Sequence, residues 1–169
     1  DLGLQGGALR AAERTFQLMR QVSGRAGRAD KPGLALLQTF QPEHPVIRAI
    51  LSGDEEAFWR SEAAEREAAG MPPYGRLAGI IISANDAASA FDLGNHLARN
   101  DGPIRDAGAV VYGPAPAPIA RVRGRHRVRM LVKAPRGVAL QSAITRWVGG
   151  LKLPNHVRLA VDIDPQSFY

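Results

Sequence analysis

No cysteine occurs among the 169 residues. That absence excludes a disulfide framework, a Cys-ligated zinc or iron–sulfur site, and a cysteine nucleophile within this chain. No apolar run approaches the roughly 20 residues that a membrane-spanning helix needs, and no signal-peptide pattern opens the sequence. Acid is also in short supply. Sixteen Asp and Glu stand against 22 Lys and Arg, for a net charge of +6 and an isoelectric point near 10.5. A basic excess of this kind favours a polyanionic partner, nucleic acid first. What is present is ordinary for a folded protein: 45% hydrophobic and 22% charged residues, enough to bury a core without covalent staples. The first residue is Asp1 rather than Met, and the expectation is a piece of a longer protein.

The charge is unevenly placed. Residues 1–70 carry 9 basic and 10 acidic side chains, and residues 71–169 carry 13 and 6. The composition changes at Gly70-Met71-Pro72-Pro73-Tyr74-Gly75, where paired prolines beside glycine stop a helix. The expected organisation is a first part over 1–70, a linker over 71–75 and a second domain over 76–169. Within the second part, Arg121, Arg123, Arg125, Arg127, Arg129 and Lys133 form a basic stretch without an acid. An unbroken strand would align all five arginines on one face, because alternate side chains share a face. A turn at Gly124 would instead divide the row between two hairpin strands. Both arrangements keep like charges close, and both favour a nucleic-acid contact over a merely solvated strand face. Around His126 the stretch has no Trp or Tyr, so phosphate contact is better supported there than base stacking.

Apolar spacing predicts a helix over residues 8–23, a buried strand over 34–40, a short helix over 45–51, and a charged helix over 55–69 capped by Asp54. After the prolines the order is strand 77–83, helix to 99 capped by Asn85 or Asp86, strand 109–112, and an extended Pro-Ala segment over 113–118. The basic stretch follows as one or two strands, then helix 138–148 and strand 157–163. Two helices on one face of a mainly antiparallel βαββαβ sheet, the ferredoxin-like arrangement, is the expected fold of this part.

The most specific segment is Gln21-Val22-Ser23-Gly24-Arg25-Ala26-Gly27-Arg28. One helical turn would put Gln21, Arg25 and Arg28 on a common face, and arginine forks suit the charge that grows on a transferring phosphoryl group. On physics alone a surface turn fits equally well. The pattern Gln-x-x-Gly-Arg-x-Gly-Arg resembles helicase motif VI of superfamily 2. Arg10 to Leu18, Gln41-Pro-Glu-His-Pro45, Met71-Pro-Pro-Tyr74 and Asp162-Ile-Asp-Pro165 extend the likeness along essentially the whole chain. Together they resemble the C-terminal part of the bacterial primosomal replication-restart helicases, the PriA family.

That resemblance implies an α+β chain. A partial helicase lobe of helices plus a strand, with motif VI, is followed by a ferredoxin-like or ribosomal-protein-like βαββαβ domain that binds DNA. Gln21, Arg25 and Arg28 would face ATP held elsewhere in the parent protein, with Arg28 or Arg25 as the arginine finger. Asp1-Leu-Gly-Leu4 is similar to the tail of motif V. The parent would use ATP and Mg²⁺ and carry zinc in a cysteine-rich module. This piece would hold no cofactor and be inactive alone. Implied partners are branched or single-stranded DNA, single-stranded DNA-binding protein and other primosome proteins, with no membrane, in the bacterial cytoplasm at the nucleoid. The alternative is a non-enzymatic nucleic-acid-binding or ribosome-associated module.

Other candidates carry less. His44, His96, His126 and His156 lack metal-ligand spacing. Asp162 and Asp164 share a strand face, and satisfaction by nearby arginines is expected over a bound cation. Ser23 has no partner base. Arg136, Gln141 and Arg146 could hold an acidic peptide tail beside helix 138–148.

Overall fold

The computed structural model describes residues 10–26 and 33–165. The chain divides into two compact units, Asp1–Ala64 and Glu65–Tyr169. In the first, α1 (Ala11–Ser23) and α2 (Pro45–Ser52) precede α3 (Glu55–Ala68), whose last turn passes into the second unit. Asp54 caps α3 as its sequence implies, accepting the Ala57 N–H at 2.9 Å. His44 caps α2 through Nδ1, which accepts the Val46 N–H at 3.2 Å. Phe16, Val46, Ala49 and Phe58 form a small buried cluster. Phe16 stacks on Phe58 with ring centroids 4.2 Å apart, and Trp59 meets both rings edge-on.

The expected strand over 34–40 is absent. Residues 33–40 have neither helix nor strand, and Leu34, Leu36 and Phe40 are 82%, 89% and 93% exposed. A strand needs a ladder partner for its N–H and C=O groups, and no strand among the described residues pairs with this run.

The second unit is an antiparallel sheet of four strands: β1 (Gly75–Ala84), β2 (Val110–Val122), β3 (Arg125–Pro135) and β4 (Val157–Ile163). Its order is β2-β3-β1-β4. Helices α4 (Ala87–Arg99) and α6 (Leu140–Val148) make the two crossovers, giving βαββαβ, with a one-turn helix α5 (Gly102–Arg105) added after α4. The sheet and helices enclose one core containing Ile80, Ile82, Val128, Met130 and Val132 from the strands, Leu97 and Ile104, and Leu140, Ile144 and Trp147 from α6. Each fully buried Ile or Leu there contributes about 1.5–3 kcal/mol. Trp147 donates its indole N–H to the Leu97 carbonyl at 3.2 Å, tying α6 to α4. Gly94 lets α4 approach β2, since a Cβ there would lie 2.7 Å from Pro114.

One expectation is revised and one open alternative is decided. The Pro-Ala segment over 113–118 is not a separate extended piece; it lies inside β2, which runs on to Val122. An edge strand tolerates proline because one side of it makes no ladder bonds, and the register with β3 shifts between Tyr112 and Ala115 and again between Pro116 and Arg121. Of the two arrangements open to the basic stretch, the hairpin split at Gly124 is the one that forms. Arg123 and Gly124, with φ of 49° and 79°, form a two-residue turn between β2 and β3. Positive φ at both central residues is what the favoured hairpin turn demands.

Candidate nucleic-acid interface

Register determines which charges meet. Along β3, Val128, Met130, Val132 and Ala134 point into the core, so Arg125, Arg127, Arg129, Leu131 and Lys133 occupy the opposite, open face. Directly paired residues of antiparallel strands share a face. Arg129 pairs with Ile81 and Arg127 with Ser83; Ile81 and Ser83 in turn pair with Ala160 and Arg158 of β4. The open face therefore gains Arg158, a residue that is isolated in sequence and gives no local signal of its own. Ser83 has an arginine on each side, Arg127 on β3 and Arg158 on β4.

An open depression of about 390 Å³ lies at this end of the sheet. Ile81, Val122, Leu159 and Ala160 supply apolar lining, and Arg123, Arg125, Arg127 and Arg158 surround it. Arg125 holds the frame. Its guanidinium donates to the Ser83 carbonyl and the His156 carbonyl, both at 2.7 Å, and to Asn85 Oδ1 at 3.0 Å. By contrast, the side chains of Arg123, Arg127, Arg129 and Arg158 make no hydrogen bond or ion pair among the described residues. The open-face acid nearest this end is Asp162, which pairs with Gly79 on β1. Asp164 is engaged: Arg76 Nε donates to it at 2.9 Å and the Leu77 N–H at 3.0 Å.

The sequence-predicted row is thus divided. Arg121 pairs with His126, on the opposite face from Arg125, Arg127 and Arg129, because the two-residue turn at Arg123 and Gly124 pairs each odd-numbered residue at the end of β2 with an even-numbered one of β3. Arg123 sits in the turn and reaches the depression. Lys133 lies on the open face at the far end, paired with Leu77 and Val110. Tyr112, paired with Leu131, stands on the same face and is 50% exposed. Nothing within residues 121–133 signals it, because it reaches this face by pairing across strands.

Asp86 caps α4 from the rim of the same end. Its carboxylate accepts the Ser89 N–H at 2.7 Å and the Ser89 hydroxyl at 2.8 Å. These bonds, with smaller help from His156 and His126, hold it below its ordinary value of 3.8.

In the first unit, Gln21 and Arg25 are exposed. Gln21 lies in the last turn of α1, and Arg25 lies just beyond, its N–H donating to the Val22 carbonyl at 3.1 Å. Gly27 and Arg28 fall outside the described residues, as does Asp1-Leu-Gly-Leu4. Ser23 bonds its own helix, Oγ donating to the Arg20 carbonyl. Among the described residues no group of three His, Asp or Glu is placed to hold a metal ion. No helix of the described residues is long and apolar enough to cross a membrane.

The model of the primosomal protein N C-terminal domain matches residues 67–166. Proteins named replication restart protein PriA are similar along nearly all of the chain. The Rickettsia conorii protein is 36% identical over 169 residues, covering 100% of this chain and 26% of the relative. The Treponema pallidum protein is 36% identical over 168 residues, covering 98% and 25%. The Bacillus subtilis protein is 35% identical over 163 residues, covering 92% and 20%. The chain spans about a quarter of the length of the curated relatives it matches. With its βαββαβ sheet and the match over 67–166, the chain belongs to the PriA replication-restart family and carries that family's C-terminal domain.

Proposed function

We propose that this chain is the distal portion of an ATP-dependent DNA helicase that acts in replication restart at branched DNA. In this reading residues 1–70 are the end of the second helicase lobe and residues 76–169 are a DNA-binding domain. Arg25 and Arg28, with Gln21, face the phosphates of ATP bound by the rest of the longer protein. One of the two arginines stabilises the charge that develops on the γ-phosphoryl group, as an arginine finger does. The piece by itself hydrolyses nothing. ATP, Mg²⁺ and zinc belong to parts of the longer protein outside it, and single-stranded DNA-binding protein and other primosome proteins are its partners there.

The observation that carries the DNA-binding half is the open face of the sheet. Arg127, Arg129 and Arg158 stand on it without a side-chain partner, and a phosphate backbone supplies the missing negative charge. The catalytic half rests on the motif and the family. In the longer protein, Arg28→Ala and Arg25→Ala are each expected to leave nucleotide binding nearly intact. The variant that removes the finger should lower kcat about 10³-fold or more. Steady-state ATP hydrolysis with single-stranded DNA present measures it, and full turnover in both variants refutes the finger.

A further inference from the structure

The distribution of charge and apolar surface on the sheet says which form of nucleic acid it takes. We infer that the open face is a single-strand platform, in which Arg127 and Arg158 hold phosphates beside an apolar floor and Tyr112 stacks a base. This rests on the reading of the sheet as a nucleic-acid interface and assigns roles to Tyr112 and Arg158.

Three observations converge. First, the arginines do not stand on a polar plane. The depression they surround has Ile81, Val122 and Ala160 in its lining, and apolar surface of that kind gains nothing from phosphates alone. A duplex turns its base faces inward and offers the protein phosphates and groove edges. A single strand presents unstacked base faces together with phosphates, and covers both parts of the site at once. Second, Tyr112 belongs to the same face. Register places it beside Leu131, two positions from Arg129 and four from Arg127, or about 7 Å and 13 Å along the strand at 3.3 Å per residue. Half of its surface is open, and no aromatic ring packs on it among the described residues. Third, Arg127 and Arg158 stand two strands apart, on either side of Ser83. At about 4.8 Å per strand their backbones are about 10 Å apart, so their side chains can reach a common backbone from both sides. Arg125 is not part of the grip, since its donors already hold Ser83, Asn85 and His156. The acid on this face, Asp162, lies one residue pair beyond Ala160 along β4. It directs the strand toward the Arg127–Arg158 end.

The test uses the whole chain with fluorescein-labelled oligo-dT of about 20 nucleotides, and a duplex of equal length, in anisotropy titrations at several salt concentrations. Tyr112→Ala should weaken oligo-dT binding about 5- to 30-fold, with duplex binding changed less than twofold; one stacked base accounts for a loss of that size. Tyr112→Phe, which keeps the ring, should restore oligo-dT binding. Arg127→Ala with Arg158→Ala should weaken oligo-dT at least tenfold and reduce the salt slope by about 1.4, two phosphates at about 0.7 each. If Tyr112→Ala leaves oligo-dT binding unchanged, or weakens duplex equally, the single-strand platform is wrong while a charge-based interface stands. If the double arginine variant binds both probes as the parent chain does, the interface reading falls with it. Circular dichroism of each variant checks that the sheet is intact.

Discussion

The two units use the same kinds of residue to different ends. In the second, a four-stranded sheet and its helices close around a single core, and Arg125, Arg127, Arg129, Lys133 and Arg158 share the face of the sheet opposite that core. In the first, two ring systems and a few aliphatic side chains form the buried cluster, while Leu34, Leu36 and Phe40 stay almost fully exposed. The second unit gathers its largest apolar side chains into one core and can be read as a domain. The charge of Arg127, Arg129 and Arg158 on its open face is then informative, because no partner among the described residues offsets it. The first unit leaves a strongly apolar run uncovered among the described residues, and its motif arginine points to no site that those residues complete. A basic cluster can be interpreted locally, whereas an arginine finger can only be interpreted with its nucleotide.

The contrast can be broken most forcefully at the two cores. Each unit contains one tryptophan, Trp59 in the first and Trp147 in the second. Ile80→Ala removes a wholly buried side chain from the sheet core and should cost about 2–5 kcal/mol. Phe16→Ala removes half of the Phe16–Phe58 stack and should cost about 3–5 kcal/mol. In denaturant titrations of otherwise native chains bearing a single reporter, Ile80→Ala should move the Trp147 transition alone, and Phe16→Ala the Trp59 transition alone. Equal shifts at both reporters would mean that the units unfold as one, and the comparison would fail.

A smaller effect sharpens the distinction between framing and gripping arginines. Arg125→Ala frees the Ser83 and His156 carbonyls and should destabilise the sheet by about 1.5–3 kcal/mol, the range for hydrogen bonds to a charged group. Arg127→Ala should leave the melting midpoint nearly unchanged. Comparable midpoints for the two variants would remove the distinction.

The smallest effect is at the Asp86 cap. Its folded-state pKa lies below its unfolded value, so the carboxylate contributes stability above pH 3.8, and that contribution is lost as pH falls through the lowered folded value. Asp86→Asn should therefore flatten the acid limb of the stability profile below pH 4 while changing it little near pH 7. An unchanged acid limb would assign the loss to other carboxylates.

Much of the second unit was legible in the sequence. Isoleucines at 80 and 82 with paired prolines between glycines upstream, Asp86 before an amphipathic run, and alternation through 125–133 each carry a local signal that the fold obeys. The 34–40 run misled because a short apolar stretch looks the same whether or not a ladder partner exists. The site was legible only in part for a related reason. Five arginines on alternate positions announce a charged strand, but alternation restarts at a turn, and that moved Arg121 to the other face. Arg158 and Tyr112 arrive by pairing across strands, information that no spacing within a strand contains.

Asp164 binds the beginning of β1 to the end of β4 through Arg76 and the Leu77 N–H, and the Asp164 N–H returns a bond to the Leu77 carbonyl at 2.7 Å. The polypeptide thus enters and leaves the sheet at one point, like a tool fixed at its handle. Ser83, with Arg127 and Arg158 beside it, lies six residues further along β1, about 20 Å from that anchorage. A small rotation at the handle is a long sweep at the arginines. If the open face takes a strand as proposed, a rotation at the anchorage reaches that strand as displacement, with no rearrangement inside the sheet.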